Sequence, residues 1–416
     1  MSEATAPDIG DDLTAVVADL NSPAHRMDPY PYYRRLRERL AIPHTPDHWL
    51  LSRHGHCDAV LRDRRWERLE ELMCLPDRAV CSPLEARAAA DASGHQQFVL
   101  DLASAPSRAR LRALFKEAFS AAVVRGLRPR IHSLTRGLLD RALEAREVDL
   151  VEALAIPLPG ILVCELLGVP AGDWPLLRGW SDAMVRSADP LLTMSAVEVA
   201  AQDRAGRELG DYFRPLIAAR RARPSDDLLG RLALGRVTGE ALDEQELIAA
   251  CVMLLVAGQE MISNFIGLGA LALLRHPAQR RRLQAQPGLI PSAVEELLRY
   301  DSPAQIAPRV ALEDRELDGE RVAAQSYAVL LLGAANRDPE VFAQPERLDL
   351  GRRDNRHLAF GQGHLFCPGA PLARLQGGIA FGALAARAPA LELTGEPERK
   401  GTFCIRGLAK LPVLVR

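Results

Sequence analysis

The sequence predicts a mainly α-helical fold with small β-sheets (α+β), on three observations. Apolar residues recur with a 3.6-residue period from Ala109 to about Leu154, and helical patterning dominates through Leu298. Short strand-like runs sit towards the two ends, at His48–Leu51, Val322–Ala324, Ala328–Leu332 and Leu411–Val415. No strand leads into a GxGxxG turn and no GxxxxGK[ST] occurs, so no in-chain flavin, nicotinamide or nucleotide domain is expected.

In chain order, Asp28-Pro29 opens a short amphipathic helix carrying Tyr32, Leu36 and Leu40. His48-Trp49-Leu50-Leu51 reads as a strand, with a helix around Asp58–Arg62 behind it. Residues 67–107 are irregular in pattern, a loop region of the kind that carries substrate contacts. The most apolar stretch, Leu247–Leu274, is interrupted by Gln259, Glu260, Ser263, Asn264 and three glycines. A carboxylate at its centre is costly in a bilayer, so this stretch is expected as a buried core helix, not a membrane span.

Composition narrows the function further. The chain has 416 residues, 48% hydrophobic and 25% charged, enough apolar material for a large core. With no linker or repeat in it, one domain over residues 1–416 is expected, residues 1–25 forming a flexible N-terminal segment. The formal net charge of −2 supplies no basic field for nucleic acid or anionic lipid. The acidic N-terminus has no apolar h-region, so a cytoplasmic protein without a signal peptide is expected. Seven cysteines, at positions 57, 74, 81, 164, 251, 367 and 404, include no CxxC and no zinc spacing. Six of them read as ordinary packing thiols.

Cys367 differs. It lies in Phe360-Gly361-Gln362-Gly363-His364-Leu365-Phe366-Cys367-Pro368-Gly369, just before a helical run at Ala370–Ala380. Three glycines let the backbone pass close to a flat ligand, and a helix N-terminus stabilises a thiolate. A buried cysteine in a glycine-rich turn is the competing reading of this segment alone.

The segment resembles the haem-binding loop of the cytochrome P-450 family, F-x-x-G-x-[HR]-x-C-x-G, through Phe360, Gly363, Cys367 and Gly369, followed by Leu372-Ala373-Arg374. Three further stretches match in order. Glu296-Leu297-Leu298-Arg299 fits the family's E-x-x-R, with Arg347 of Pro345-Glu346-Arg347-Leu348 as the expected third member of a Glu-Arg-Arg network. Arg108-Ala109-Arg110-Leu111-Arg112 fits H-T-R-L-R, and Ala257-Gly258-Gln259-Glu260-Met261 fits A-G-x-[DE]-T.

The resemblance implies the P-450 fold, with a long helix crossing the distal face of haem b (iron protoporphyrin IX). It implies Cys367 as iron ligand, Phe360, Gly363 and Gly369 as the loop around it, and Arg108, Arg112 and Arg309 as propionate partners. A solvent-facing Arg108 is the alternative. It further implies a local opening of the distal helix at Gly258 and an acid, Glu260, that helps deliver protons. Two departures stand out: Leu365 replaces the usual basic residue, and Met261 replaces the usual threonine. A thioether donates no hydrogen bond, so the substrate, or water held by Glu260 or Asn264, has to supply the proton. The implied activity is a monooxygenase that oxidises a small organic secondary-metabolite intermediate, with electrons from a separate ferredoxin and its reductase, acting as a monomer. Met261 leaves nitrene transfer with C–N bond formation, or peroxide-driven oxidation, as alternatives.

Overall fold

The computed structural model describes residues 27–38, 44–45, 48–67, 105–185, 195–234, 242–402 and 404–416, with isolated positions before residue 27. Residues 68–104, most of the expected substrate loop, and Phe403 lie outside the described residues, as do Cys74 and Cys81.

Helices carry most of the chain. The N-terminal part contributes α1 (Tyr30–Glu38) and α2 (His54–Arg62). The two expected there appear, α1 burying Tyr32 and Leu36, while Leu40 lies outside the described residues. The middle of the chain supplies α3 (Ala105–Ala118), α4 (Ala121–Ala145), α5 (Pro157–Leu166), α6 (Trp174–Val185), α7 (Ala196–Ala222) and α8 (Leu228–Ala233). Then follow α9 (Glu244–Arg275), α10 (Pro277–Ala285), α11 (Ile290–Tyr300), α12 (Leu332–Ala335) and α13 (Ala370–Arg387).

The strands are short. A five-stranded sheet has the order β1 (His44–Thr45), β2 (His48–Leu51), β8 (Tyr327–Leu331), β5 (Ile306–Ala311), β3 (Trp66–Glu67), β2 and β8 pairing in parallel and the rest antiparallel. β2 has the bounds expected from sequence. β5 does not appear among the expected strands, because Pro308 sits inside it. The proline is tolerated where β5 has a neighbour on one side only: β3 reaches it at Val310 and Ala311 alone. Three smaller sheets join β4 (Glu147–Asp149), β12 (Pro412–Leu414) and β9 (Glu392–Leu393), β6 (Arg315–Leu317) and β7 (Glu320–Val322), and β10 (Glu398–Arg399) and β11 (Leu408–Lys410).

The 32-residue α9 is the axis of the core. Asp243 caps it: Oδ1 accepts from the Glu246 amide at 2.8 Å while Glu246 Oε2 accepts from the Asp243 amide at 3.0 Å. Pro277 follows its last residues and stops it. It is long and apolar enough to cross a membrane, yet most of its apolar stretch is buried inside the fold, as a core helix requires. α9 is locked onto α13 by a reciprocal fit. Phe381 occupies the space where Gly269 lacks a Cβ, which would stand 2.4 Å from the ring, and Phe265 fills the same space at Gly377 at 2.3 Å. The two rings meet edge to face at 5.2 Å. The helix that follows Cys367 is therefore held in fixed register against the helix that carries Glu260.

Candidate functional site

The Cys367 loop is a tight fold-back. Its glycines Gly361 and Gly363 have φ of 69° and 66°, the left-handed region that other residues enter at a cost. A Cβ on Gly363 would stand 2.5 Å from the Leu61 carbonyl oxygen, so the loop presses directly on the backbone of α2. The Cys367 amide donates to the Phe360 carbonyl at 2.9 Å, closing the loop one turn before α13 begins. Gly369 has an ordinary φ of −79°, and its missing Cβ leaves room beside the sulfur, 3.8 Å from Sγ. Cys367 is half-buried, whereas Cys57, Cys164 and Cys251 are buried. Burial pushes the Cys57 and Cys251 thiols up strongly, and Cys164 to about 12, so these three remain neutral packing groups. Cys404 is half-buried.

Phe360 is pinned from the α13 side by Arg374, whose guanidinium lies 4.7 Å from the ring centroid. Arg374 in turn grips Glu295 at 2.7 and 2.8 Å, and His357 approaches the same carboxylate at 3.1 Å. Burial raises the Glu295 carboxyl, but the hydrogen bonds from Arg374 and His357 outweigh it and hold it at about 2.

The E-x-x-R pair is fully buried, with Arg299 Nε and Nη2 donating to Glu296 at 2.8 and 2.9 Å. Its third member is Arg352, not Arg347. Arg352 Nε donates to Glu296 Oε2 at 3.0 Å, while the guanidinium of Arg347 turns outward to Gln344 and only its carbonyl accepts from Arg299. Arg347 is exposed on a turn, and Arg352 is the cation that the chain returns to Glu296. Arg299 also donates to the Asn336 carbonyl, and the Asn336 side chain accepts from the Leu358 amide at 2.7 Å. The network thus supports the segment leading into Phe360.

Arg112, on α3, donates to the carbonyl of Phe366 at 3.2 Å, next to Cys367. Arg108 lies one turn earlier on α3, and its side chain is outside the described residues. Arg309, in β5, is buried and donates to the Pro308 carbonyl at 2.7 Å. His364 faces Glu67 at 3.6 Å, and Leu365 is buried.

On α9, Met253, Val256, Ala257, Gly258 and Met261 are the residues between 251 and 264 that are not fully buried. Met253, Val256, Ala257 and Met261 recur at helical spacing on one face. The helix is α throughout Glu244–Arg275, so the expected opening at Gly258 is absent. A Cβ there would make ordinary contact with Val163 of α5, at 3.5 Å, so packing does not demand glycine at this position. Glu260 recurs on the same face, four residues after Val256 and three after Ala257, and is buried. Both its oxygens are held by Lys400 Nζ, at 2.7 and 2.8 Å, and Asn264 Nδ2 donates to Oε1 at 2.8 Å. Sequence reasoning missed Lys400, which lies 140 positions away in the loop after β10 and has no local signal. Asn264, expected to hold water, is turned to Glu260 directly.

These features fit a haem. A half-buried thiol stands in a glycine loop, a helix presents small residues at Ala257 and Gly258, and Arg112 and Arg309 offer cations to two carboxylates.

Comparison with known proteins points the same way. Residues 288–386 match the family model described as Cytochrome P450. The polyketide biosynthesis cytochrome P450 PksS of Bacillus subtilis (strain 168) is 37% identical over 370 residues, 88% of this chain and 88% of PksS. The cytochrome P450 monooxygenase PikC of Streptomyces venezuelae is 38% identical over 399 residues, 93% of this chain and 91% of PikC. The crystal structure of Mycobacterium smegmatis CYP164A2 with econazole bound superposes with a TM-score of 0.86 at 37% identity, covering 96% of this chain and 99% of that one.

Proposed function

The chain belongs to the cytochrome P450 family, a haem-thiolate oxidoreductase, and from that premise we propose that it is a cytoplasmic, single-domain, monomeric monooxygenase that tailors a secondary metabolite. The observation that carries this reading is the loop that folds Cys367 back on Phe360 and leaves its sulfur half-buried beside Gly369. In this reading Cys367 ligates the haem iron, and Arg112 and Arg309, with Arg108, hold the propionates. Bound haem supplies reductive activation of dioxygen and oxygen insertion into a C–H or C=C bond. The residues of this chain do the rest. Val256, Ala257 and Met261 shape the space for substrate and keep it apolar, and Glu260 holds a charge behind Met261, fixed by Lys400. The names of PksS and PikC, one of them a polyketide biosynthesis protein, support an organic secondary metabolite as substrate.

Electrons enter in this proposal from a separate ferredoxin with its reductase. A groove of about 1070 Å³ between α4 and α13 supports it. Arg125, Arg128, His132 and Arg136 of α4 make its α4 side cationic and suited to an acidic partner, while Arg374 and Arg387 opposite are paired with Glu295 and Asp140. Pro371 and Leu375, within eight residues of Cys367, line the same groove. Electrons arriving there have a short route to the sulfur.

A second reading rests on Met261. It stands on the same face as Val256 and Ala257 and donates no hydrogen bond, which favours chemistry that needs no proton delivered from that position, such as nitrene transfer with C–N bond formation.

The deciding experiment has two stages. The reduced protein with carbon monoxide is expected to show the strongly red-shifted Soret band of thiolate ligation, and Cys367→Ala to lose it. A haem-loaded protein without that band removes the whole reading. Product formation that needs dioxygen and reductant supports the monooxygenase, and turnover that persists without either supports the second reading.

A further inference from the structure

A small cavity of about 30 Å³ lies between the N-terminal segment and the C-terminal strands, lined by Tyr33, Gln305, Arg399, Lys400, Thr402 and Arg406. Three of the six are cations. Lys400 has Glu260 for its counter-ion, and Arg406 Nε donates to Asp301 Oδ1 at 2.7 Å. Arg399 shares the Asp301 carboxylate with Arg406. Asp301 Oδ2 stands 3.6 Å from Arg399 Nη1, too far for a hydrogen bond, and Oδ1 is already taken by Arg406 and by the Tyr30 hydroxyl at 2.7 Å. The Arg399 side chain is only 9% exposed, and its buried Nη1 finds no hydrogen-bond partner among the described residues. One buried carboxylate therefore faces two buried guanidiniums. Burial lowers the Arg399 guanidinium most; Asp301 and Tyr30 pull it back up, and the charges of Arg406 and Arg275 lower it. Arginine stays charged under such pressure, and an uncompensated buried charge is costly.

The other polar groups around the cavity are engaged. Gln305 Nε2 donates to Ser302, Gln305 Oε1 accepts from Tyr33, and Thr402 donates to Ile405. Arg399 is left with spare donor capacity in a space the size of a single carboxylate head. Lys400 also links the cavity to α9, the helix that the proposed function sets beside the substrate. It reaches from the cavity wall to Glu260, the sequence neighbour of Met261.

We propose that this cavity is an anion subsite in which Arg399 recognises the carboxylate of an organic-acid substrate. The proposal rests on the monooxygenase reading and adds the substrate class. A carboxylate placed there completes the pairing of Arg399 and leaves the remainder of the molecule to extend along α9.

The test uses the full-length haem-loaded protein and two probes of equal shape, dodecanoate and dodecanamide, titrated calorimetrically and by the change in the Soret band. Dodecanoate is expected to bind at least about ten-fold more tightly than the amide, and Arg399→Met to abolish the difference. Arg399→Lys is expected to restore part of it. Equal binding of the two probes by the unaltered protein overturns the proposal, as does an unchanged preference in Arg399→Met. Sodium acetate is expected to compete with dodecanoate. If acetate competes but saturating dodecanoate leaves the Soret band unmoved, the site holds free anions and the substrate assignment fails. Melting without ligand gives an independent reading. Arg399→Met should melt no lower than the unaltered protein and Arg406→Met clearly lower. Equal losses show Arg399 to be satisfied within the fold and sink the idea. Loss of the thiolate Soret band would count against the monooxygenase reading alone, because calorimetric anion binding is read without it.

Discussion

The assignment of Arg352 to the buried Glu296–Arg299 pair can be tested by three substitutions compared side by side. Arg352→Met removes the charge-assisted hydrogen bond to Glu296 at 3.0 Å and the bond to the Ala343 carbonyl at 2.8 Å. Glu296 keeps both bonds from Arg299, the Asp349 amide at 2.9 Å and Asn355 at 3.2 Å. The carboxylate is therefore weakened without being orphaned, and one charged hydrogen bond, about 2–3 kcal/mol, is the expected loss. Arg299→Met strips Glu296 of its closest cation and three carbonyls of their donor, and breaking such a buried pair costs about 3–5 kcal/mol. Arg347→Met removes only an exposed contact with Gln344. At about 2.1 cal/mol/K per residue, 416 residues give an unfolding entropy of roughly 0.9 kcal/mol/K. The melting temperature should then fall by about 2–3 °C for Arg352→Met and about 3–6 °C for Arg299→Met by the same scaling, with no resolvable change for Arg347→Met. Differential scanning calorimetry at one scan rate reads all three. If Arg347→Met lowers the Tm as far as Arg352→Met, the network is wrongly assigned.

Three further outcomes are expected. Phe381→Ala opens a cavity over Gly269 and should cost about 3–5 kcal/mol; chemical denaturation measures it, and a loss under about 1 kcal/mol would contradict the reciprocal packing of α9 and α13. Glu295 is held at about 2, below its unfolded carboxyl value, so its contribution is present above about pH 4.3 and fades as the pH falls towards 2; Arg374→Met should flatten that part of the stability–pH curve, and an unchanged slope would refute the pairing. Lys400→Met leaves a buried carboxylate facing only Asn264 and should destabilise by about 3–5 kcal/mol. Glu260→Gln in the same chain should recover much of that loss in a double-mutant cycle, and strict additivity of the two would show that the pair is not coupled.

What the sequence made legible follows from how local each signal is. The α9 helix could be read over Leu247–Leu274 because an apolar run of that length has one buried solution once Glu260 stands in its middle, whereas its capped start at Asp243 lies outside that run. β2 could be read to the residue because His48–Leu51 is β-rich and short. The Cys367 loop could be read because its conformation is written in glycines: Gly363 must be glycine where it meets the Leu61 carbonyl. Signals that depend on distant partners were not legible. Arg347 and Arg352 sit five residues apart in a segment without periodicity, and only the path of the chain decides which one turns inward. Gly258 looked like a flaw in the ladder of α9, yet the helix runs through it unbroken, held by packing from elements distant in sequence.

Lys400 shows why the site in particular resists reading from sequence. A buried carboxylate announces that some cation must meet it, but not which of 52 lysines and arginines does so. Here the partner arrives from the loop after β10, and that same loop brings Arg399 to Asp301, which Arg406 already holds. Two neighbouring residues thus end in opposite electrostatic states: Lys400 is matched by Glu260, whereas Arg399 shares a carboxylate with a second guanidinium. Folding stability alone favours replacing an unmatched buried cation by an apolar side chain of similar size. Its presence next to Lys400, which reaches α9, is accounted for when the missing charge comes from the ligand.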